Sequence, residues 1–164
     1  MPTALETEPF QQCNCRALRQ AARHVTQYYD LCLAPTGLRT TQFSILAKLA
    51  RLGPITINAL SRELVMDRTT LGRTMLPLER DGLISIRDGT VDRRSRELGL
   101  TKKGTERLQR AAKLWIAAQA AFEKQFGVAR AAGLREVLRD VVDCNLDKPV
   151  AATADQHRRA ARVQ

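Results

Sequence analysis

Three arginines stand close together in residues 89–101, whose sequence is GTVDRRSRELGLT. Arg93, Arg94 and Arg96 lie between a glycine and a threonine that can begin a helix. A solvated loop can carry charge, but it does not need this much charge of one sign. Guanidinium groups bind phosphate well, so the cluster indicates an anionic partner. A generally basic, solvated surface is the alternative at this point.

Two thiols form a second reactive arrangement. Cys13 and Cys15 stand at the start of a predicted helix, where the helix N-terminus and the nearby Arg16 and Arg19 favour the thiolate form. The alternative is an inert buried thiol, because free cysteine is often buried. Residues two apart on a helix point to opposite sides, so both thiols could hold one metal ion with His24 only if Cys13 precedes the helix.

Enzyme chemistry has little support in the sequence. There is no phosphate-cradling glycine-rich loop and no HExxH spacing, and the only histidines are His24 and His157. A Cys15–His24 pair would be separated by roughly 13 Å of helix rise, too far for a hydrogen bond within one chain. We therefore predict no catalytic residues, no bound metal and no cofactor. We also expect Cys32 and Cys144 to lie in helix cores.

Composition limits the class of protein. The chain has 164 residues, of which 44% are hydrophobic, so it can form one domain, or two compact lobes, with a real core. Its formal net charge of +10 indicates a polyanionic partner, either nucleic acid or an anionic membrane. Acidic and basic side chains balance within residues 111–147, so the positive excess lies outside this part of the chain.

The compartment follows from what the sequence does not contain. No apolar run approaches the roughly 20 residues of a membrane span, and MPTALETEPF at the start has acids but no apolar signal region. We expect a cytoplasmic protein whose four cysteines are free thiols.

Hydrophobic periodicity predicts the first part of the fold. A helix is expected over residues 13–33, and a second helix over 42–53 with Thr40 or Thr41 as its cap. Ile55 is expected to be a short extended link.

Two short helices are predicted next. Thr56 can cap one over residues 57–65, and Asp67 can cap another that ends at Gly82. Apolar positions of the second one can pack into a core, and its first turns carry polar side chains that could enter a major groove. Any amphipathic helix has such a polar face, which is the bland alternative. These groove-facing candidates are Arg68, Thr69, Thr70, Arg73 and Thr74.

The pattern then alternates around a glycine-centred turn. Residues 83–86 and 98–100 form the arms of a predicted hairpin, and Thr101 begins a long helix that ends at Gly127. A last helix is expected over residues 129–146. Two short helices followed by a hairpin are typical of a winged helix–turn–helix fold, mainly α with a small β wing.

The sequence of residues 56–104 resembles the multiple-antibiotic-resistance regulator (MarR) family. Its clearest marks are LERDGLI at 78–84 and DRRSRELGLTKKG at 92–104, which fits the family's wing pattern of Asp-x-Arg, Leu-x-Leu-Thr and Gly. The likeness extends over residues 13–147. It implies that Arg94 probes the adjacent minor groove and that Asp92 orients it. Arg93 and Arg96 then face phosphates or solvent.

The resemblance also implies domain organisation and assembly. Residues 13–36 and 103–147 would form the dimerisation helices of a two-fold homodimer, and residues 40–101 the winged DNA-binding lobe. Residues 1–12 are expected to be disordered and residues 148–164 to form a basic flexible tail. A monomer whose terminal helices fold back on its own core is the alternative.

Two kinds of effector are possible for such a regulator, an oxidant and a small ligand. Alignment with the hydroperoxide-sensing branch of the family places the reactive thiol on Cys15 and one thiol-contacting tyrosine on Tyr29, whereas the second tyrosine position is Thr40. The other possibility is a small phenolic or acidic ligand held between the dimer helices and the lobe. The candidates to line that pocket are Arg16, Arg23, His24 and Tyr28.

The sequence thus predicts a DNA-binding transcription repressor. It would bind double-stranded DNA at a pseudo-palindromic operator as a homodimer and be released by a small molecule or an oxidant. The alternative is a basic membrane-surface or non-specific nucleic-acid-binding module without an effector response.

Overall fold

The computed structural model of the protein describes residues 12–89, 96–144 and 146. The elements follow the predicted order, with a short 3₁₀ turn, Ala34–Thr36, after the first helix and one additional strand, β1. Their bounds are α1 Asn14–Leu33, α2 Thr40–Leu52, β1 Ile55–Thr56, α3 Ile57–Glu63, α4 Arg68–Arg80, β2 Ile84–Asp88, β3 Arg96–Leu100, α5 Lys102–Phe126 and α6 Val128–Asp143.

The chain divides into two compact units, residues 1–121 and residues 122–164, and α5 runs from the first into the second. The core of the first unit is aliphatic. Its largest fully buried side chains are Leu33, Ile45, Leu46, Leu49, Leu60, Leu71, Leu78, Leu83 and Leu98. Trp115 packs against this core with its ring stacked on Phe43 at 5.9 Å between centroids.

Two predicted helix caps, Thr56 and Asp67, are confirmed, and Thr101, predicted to begin the long helix, caps it. The Thr56 hydroxyl accepts the Ala59 N–H at 3.2 Å, and the Asp67 carboxylate accepts the Thr70 N–H at 2.8 Å. Thr101 precedes α5, and its hydroxyl accepts the Gly104 N–H at 3.0 Å. Short polar side chains at these positions satisfy backbone donors that have no partner within the helix.

The predicted cap of α2 is wrong. Thr40 and Thr41 lie inside the helix, and Arg39 occupies the capping position. The carboxylate of Asp30, on α1, accepts both the backbone N–H and the hydroxyl of Thr40 at 2.7 Å. A side chain from another helix therefore performs the capping that the sequence suggested was local.

The hairpin is part of a three-stranded antiparallel sheet with the order β1-β3-β2. Ile55 is a strand residue opposite Leu98, not only a link. Ile84 lies opposite Leu100 and Ile86 opposite Leu98, which confirms the predicted arms, although Leu83 precedes the strand. The short β1 places the stem of the hairpin directly beside the start of α3.

The second unit shows a different pattern of burial. Ala131 is buried, but many apolar residues of this unit are exposed: Val128, Leu134, Val137, Leu138, Val141, Val142 and Leu146. Phe122 and Phe126 stack at 5.4 Å, the Arg130 guanidinium lies over the Phe126 ring, and Arg135 pairs with Glu123 at 2.8 Å. Cys144 was expected in a helix core, but it follows α6 and is exposed.

Exposure also divides α1. Every residue from 12 to 24 is exposed, whereas Tyr29 and Leu33 near the end of the helix are buried. The apolar stripe of the first half, which includes Leu18, therefore has no cover in the single chain. No helix in the part of the chain that the structure describes is long and apolar enough to cross a membrane.

Candidate nucleic-acid interface

The turn between α3 and α4 has a defined backbone geometry. Val65 has a left-handed φ of 50°, and its N–H donates to the Arg62 carbonyl at 3.1 Å. The Met66 N–H donates to the Ser61 carbonyl at 2.9 Å. These two bonds close α3 in the manner usual for a helix that ends in a left-handed residue. Glycine is the common residue there, and this chain has an exposed valine instead.

An ion pair aligns α3 with α2. Lys48 Nζ lies 2.9 Å from Glu63 Oε2, and Arg51 lies 3.7 Å from the same oxygen. The hydrogen bond from Lys48 is the main reason why the pKa of Glu63 is below its usual value. The pair fixes the C-terminal end of α3, where the turn to α4 begins.

The start of α4 is held by Asp67. The hydroxyl of Thr70, followed by its backbone N–H, lowers the pKa of the Asp67 carboxyl, so the cap is ionised at neutral pH. The Thr74 hydroxyl donates to the Thr70 carbonyl at 2.9 Å. Two of the predicted groove-facing threonines therefore already make hydrogen bonds within the helix. The side chain of Thr69 makes no hydrogen bond to another described residue.

The two faces of α4 are sharply different. Leu71, Met75 and Leu78 are almost completely buried, as the sequence predicts. The opposite face follows a spacing of four, three and four residues, and all its members are exposed: Thr69, Arg73, Leu76 and Arg80. Arg68 and Thr70 are exposed beside it and Thr74 is half-buried. Sequence reasoning missed Leu76, whose apolar side chain shares a surface with threonine and arginine.

The stem of the wing carries charge in cross-strand pairs. Arg87 lies opposite Glu97, and Asp88 lies opposite Arg96. Opposite charges at facing positions stabilise such a strand pair modestly. Arg96 is exposed at the start of β3, at the end of the stem nearest the wing tip. The other predicted wing residues, Asp92, Arg93 and Arg94, lie outside the described residues.

The base of the wing is tied to the start of α5. The Thr101 hydroxyl donates to the Gly82 carbonyl at 2.7 Å, and Lys103 Nζ donates to the Asp81 carbonyl at 2.8 Å. Gly104 is buried directly against the Leu83 backbone. The end of α4, the wing and α5 thus form one connected support for the exposed arginines.

The predicted sensing residues are not brought together within one chain. Cys13 is the capping residue before α1, Cys15 lies in the first turn, and both are exposed. Tyr29 is buried, its hydroxyl donates to Gln119, and it follows Cys15 by about 21 Å of helix rise. Any contact between Cys15 and Tyr29 needs a second chain. Among the described residues no group of three potential metal ligands forms.

The predicted ligand-pocket residues do not line a shared pocket in this structure. Arg16, Arg23 and His24 are exposed, and only Tyr28 is half-buried. The Tyr28 hydroxyl donates to the Ala118 carbonyl at 3.1 Å, and burial, followed by the Cys32 thiol, raises its pKa. An open groove of about 580 Å³ does exist in the first unit, but its lining differs: Gln27, Asp30, Leu31, Ala34, Gly37, Leu38 and Arg39.

Helices α3 and α4 and the strands β2 and β3 define a winged helix–turn–helix protein. The MarR family model matches residues 38–95, a stretch that takes in α2, β1, α3, α4 and β2. MosR, a transcriptional regulator of M. tuberculosis solved in complex with DNA, is 34% identical; the match covers 82% of this chain and 100% of MosR, with a TM-score of 0.70. The chain belongs to the MarR family.

Two further relatives agree with this assignment. The transcriptional repressor CouR, solved bound to a 23-mer DNA duplex, is 27% identical over 84% of this chain and 98% of CouR, with a TM-score of 0.75. The HTH-type transcriptional regulator YwoH of Bacillus subtilis is 30% identical over 92 residues, which span 56% of this chain and 66% of YwoH. The protein is therefore a transcription regulator and not an enzyme, as the sequence predicts.

Proposed function

We propose that this regulator is a repressor that binds a pseudo-palindromic operator as a homodimer. The observation that carries the proposal is the outer face of α4, where exposed threonine and arginine side chains stand opposite a buried leucine stripe. A recognition helix enters the major groove with such a face, its N-terminal turns leading. The relatives solved with DNA, MosR and CouR, support the same reading.

The proposed DNA contacts are of two kinds: some read base edges, and others bind phosphates and position the protein on the duplex. Thr69 and Arg73 point most directly away from the core, so we assign them to base edges; Arg68, Thr70 and Thr74 contact the edges of the groove or its phosphates. The wing arginine Arg94, oriented by Asp92, enters the minor groove, whose narrow parts attract arginine. Arg93 and Arg96 contact phosphates.

The dimer follows from exposed apolar surface. Leu134, Val137, Leu138 and Val141 recur at helical spacing along α6 and are exposed in the single chain. A regular stripe of this kind is normally buried, and a second copy of the chain is the partner that gives a two-fold reader of a pseudo-palindrome. A duplex of 23 base pairs, the length bound by CouR, holds two half-sites one turn apart.

Fluorescence anisotropy on the duplex upstream of the chain's own coding sequence tests this function. The wild-type protein should bind it more tightly than an unrelated duplex, with an affinity that falls steeply with salt because counterions are released. Arg73→Ala and Arg94→Ala should each weaken binding about tenfold or more. Arg110→Ala, which removes an exposed arginine from α5, is the control and should bind as the wild type.

Equal affinity for both duplexes would favour the non-specific nucleic-acid module instead. Unchanged binding by Arg94→Ala would contradict the minor-groove role of Arg94 and leave the major-groove role of α4 unaffected. Binding only to anionic vesicles, and not to DNA, would contradict the proposal as a whole.

We propose oxidation of Cys15 as the releasing signal. Both Cys13 and Cys15 are exposed at the N-terminal end of α1, where a peroxide can reach them. Attack of the Cys15 thiolate on the O–O bond gives the sulfenic acid and releases the alcohol or water. The oxidised group then lies on the exposed half of α1, which the proposed dimer would bury.

Peroxide should release the DNA, dithiothreitol should restore binding, and Cys15→Ser should respond to neither. Cys144→Ser, which removes another exposed thiol, is the matched control and should respond as the wild type. If oxidation leaves DNA binding unchanged, the thiol is not the sensor. Phenolic and acidic ligands would then be tested, with Tyr28→Phe as the variant that should alter their binding.

A further inference from the structure

The fold itself does not require Gly72, in the middle of α4. Its φ is not left-handed, and a Cβ at this position would meet nothing within 4 Å. Glycine is the poorest helix former after proline, so a mid-helix glycine weakens an exposed helix unless another contact needs the bare backbone. Within the chain no such contact exists among the described residues.

Leu76 lies one turn after Gly72 on the same side of the helix. Positions four apart on a helix are offset by only about 40°, so Leu76 and Gly72 share one side of α4, and the place that a Gly72 Cβ would take is open, with no Leu76 side-chain atom within 4 Å. Leu76 is 63% exposed. The bare backbone of one residue and the isobutyl group of the other form a shallow apolar notch, which we call the Gly72–Leu76 notch.

Polar and cationic side chains border this notch. Arg68 lies one turn before Gly72, and Thr69 and Arg73 lie beside it on the outer face of α4. A single exposed leucine is ordinary on a protein surface. A leucine beside an unexplained glycine, within the surface that faces DNA in the proposed function, is a more specific arrangement.

We propose that the Gly72–Leu76 notch receives the 5-methyl group of a thymine in the major groove, which makes Leu76 a specificity-determining residue. The inference rests on the proposed function of α4. The thymine methyl is the one apolar group that base edges present in this groove. Cytosine at the same position has no methyl and offers an N4 amino donor, for which the notch has no acceptor.

The two residues have different roles in this contact. Leu76 supplies apolar surface that is lost from water when the methyl packs on it. Gly72 lets the base edge approach the helix backbone closely enough for that packing, because a side chain there would hold it away. Both effects act at the same base pair, once in each half-site of a dimeric operator.

Replacement of thymine by deoxyuridine tests the contact, because it removes only the methyl group. In the operator bound by the wild-type protein, each thymine is replaced in turn and affinity is measured for wild type and Leu76→Ala. At one position per half-site the wild type should lose about fourfold in affinity, the value of one buried methyl, and Leu76→Ala should lose almost nothing. Replacement in both half-sites should cost the wild type about sixteenfold.

Gly72→Ala is an independent test, because it should change the thermal stability of the protein and its DNA affinity in opposite directions. The new methyl has open space in the free protein and improves helix propensity, so the melting temperature should rise. It occupies the notch, so affinity for the thymine operator should fall several-fold while affinity for the deoxyuridine operator changes little. Gln109→Ala, an exposed substitution on α5, is the control and should leave both affinities unchanged.

The outcomes separate this inference from the proposed function. Loss of affinity at the same thymine in wild type and Leu76→Ala, or no loss at any thymine, would overturn the notch while sequence-specific binding stands. Wild-type affinity in Gly72→Ala would also overturn it. Absence of sequence-specific DNA binding would overturn the proposed function and the inference with it.

Discussion

The winged lobe and helix α6 have apolar stripes of similar regularity, but only the stripes of the lobe are buried. In α4 the residues Leu71, Met75 and Leu78 are almost fully enclosed, whereas in α6 Val137 is 59% exposed at an equivalent place in the pattern. Helical periodicity predicts which side of a helix is apolar, but it does not tell which molecule covers that side. The apolar stripe of α4 is buried within one chain, whereas the stripe of α6 is exposed, and the proposed dimer would cover it.

Helix α1 contains the same contrast along its length. In its second half Tyr29 and Leu33 are buried, whereas its first half, which begins beside Cys13 and carries Cys15, is exposed. A thiol on the exposed half is accessible to an oxidant in the free chain, and the proposed dimer would make it an interface group. This places the proposed sensor at the boundary between the two kinds of surface.

The largest effect is expected from Gly104→Ala, at the start of α5 against the base of the wing. A Cβ there would overlap the Leu83 carbonyl oxygen and lie 2.9 Å from its carbon. Leu83 cannot move away easily because Thr101 donates to the same carbonyl. The free energy of unfolding should fall by about 3 kcal/mol or more.

Urea unfolding followed by the fluorescence of Trp115, the only tryptophan, measures this loss within the lobe. Gly99→Ala is the control, because its Cβ would meet only the Ser85 hydroxyl at an ordinary distance of 3.9 Å. A Gly104→Ala protein as stable as Gly99→Ala would show that the wing base is not packed as described.

The next prediction compares the stability of the lobe with association through α6. Leu138→Asp should raise the dimer dissociation constant at least tenfold, because it puts a charge into the proposed interface. It should leave the unfolding of the isolated chain nearly unchanged, since Leu138 is already exposed. Leu60→Ala should do the opposite and cost the lobe about 2–5 kcal/mol without weakening association.

Sedimentation velocity across a range of concentrations, together with urea unfolding, measures both quantities for both variants. If Leu138→Asp dimerises as tightly as the wild type, the exposed stripe of α6 is not the interface. If it unfolds the lobe, the two surfaces are not independent.

A smaller, pH-dependent effect is expected from Asp30, on α1, which caps α2. Burial raises the pKa of this carboxyl, but the hydrogen bonds from Thr40 and the Arg39 guanidinium outweigh it, and the pKa is lower than usual. A lowered folded-state pKa means that the stabilisation is complete above the unfolded-state value of about 3.9 and is lost as pH falls through the folded-state value.

Asp30→Asn should therefore cost about 1 kcal/mol at neutral pH, from the loss of charge-assisted bonds. Urea unfolding at neutral and acidic pH should show the difference from wild type shrinking as pH falls into the acid range. Glu106→Gln, which alters an exposed carboxyl on α5, should have little effect on stability at neutral pH. A difference that grows with acidity would contradict the assignment.

Features that depend on neighbouring residues could be predicted from the sequence, whereas features that depend on contacts between distant residues could not. The caps Thr56, Asp67 and Thr101 act on N–H groups three residues ahead, so each is visible in a short stretch of sequence. Strand β1 has two residues and pairs with Leu98, more than forty positions later, so neither its length nor its neighbours reveal it. Asp30 caps α2 from another helix for the same reason.

The candidate site divides in the same way. The polar start of α4 could be predicted from the sequence, because the capping residue and the apolar spacing show which face of the helix is buried. The Gly72–Leu76 notch could not be predicted, because a leucine in a helix is expected to be buried until the core is known. Cys144 was assigned to a core by the same expectation, and its position after α6 leaves it exposed.

The smallest effect is expected at Val65, where the lobe contains local backbone strain. A left-handed φ of 50° brings a Cβ close to the following carbonyl, which costs an ordinary residue about 1–2 kcal/mol. Glycine avoids that cost but loses about 0.5–1 kcal/mol through the greater freedom of its unfolded chain. Val65→Gly should therefore raise the free energy of unfolding by up to about 1 kcal/mol, whereas Val65→Ala, which keeps the Cβ, should gain less.

Urea unfolding followed by Trp115 fluorescence resolves a change of this size when the three proteins are compared side by side. The two hydrogen bonds that close α3 use backbone atoms, so both variants keep the direction in which α4 leaves the turn. A Val65→Gly protein less stable than Val65→Ala would mean that the greater freedom of the unfolded glycine chain outweighs the strain of the left-handed φ. A more stable one would mean that the fold tolerates a strained residue at the entrance to α4, the helix that we propose to face DNA.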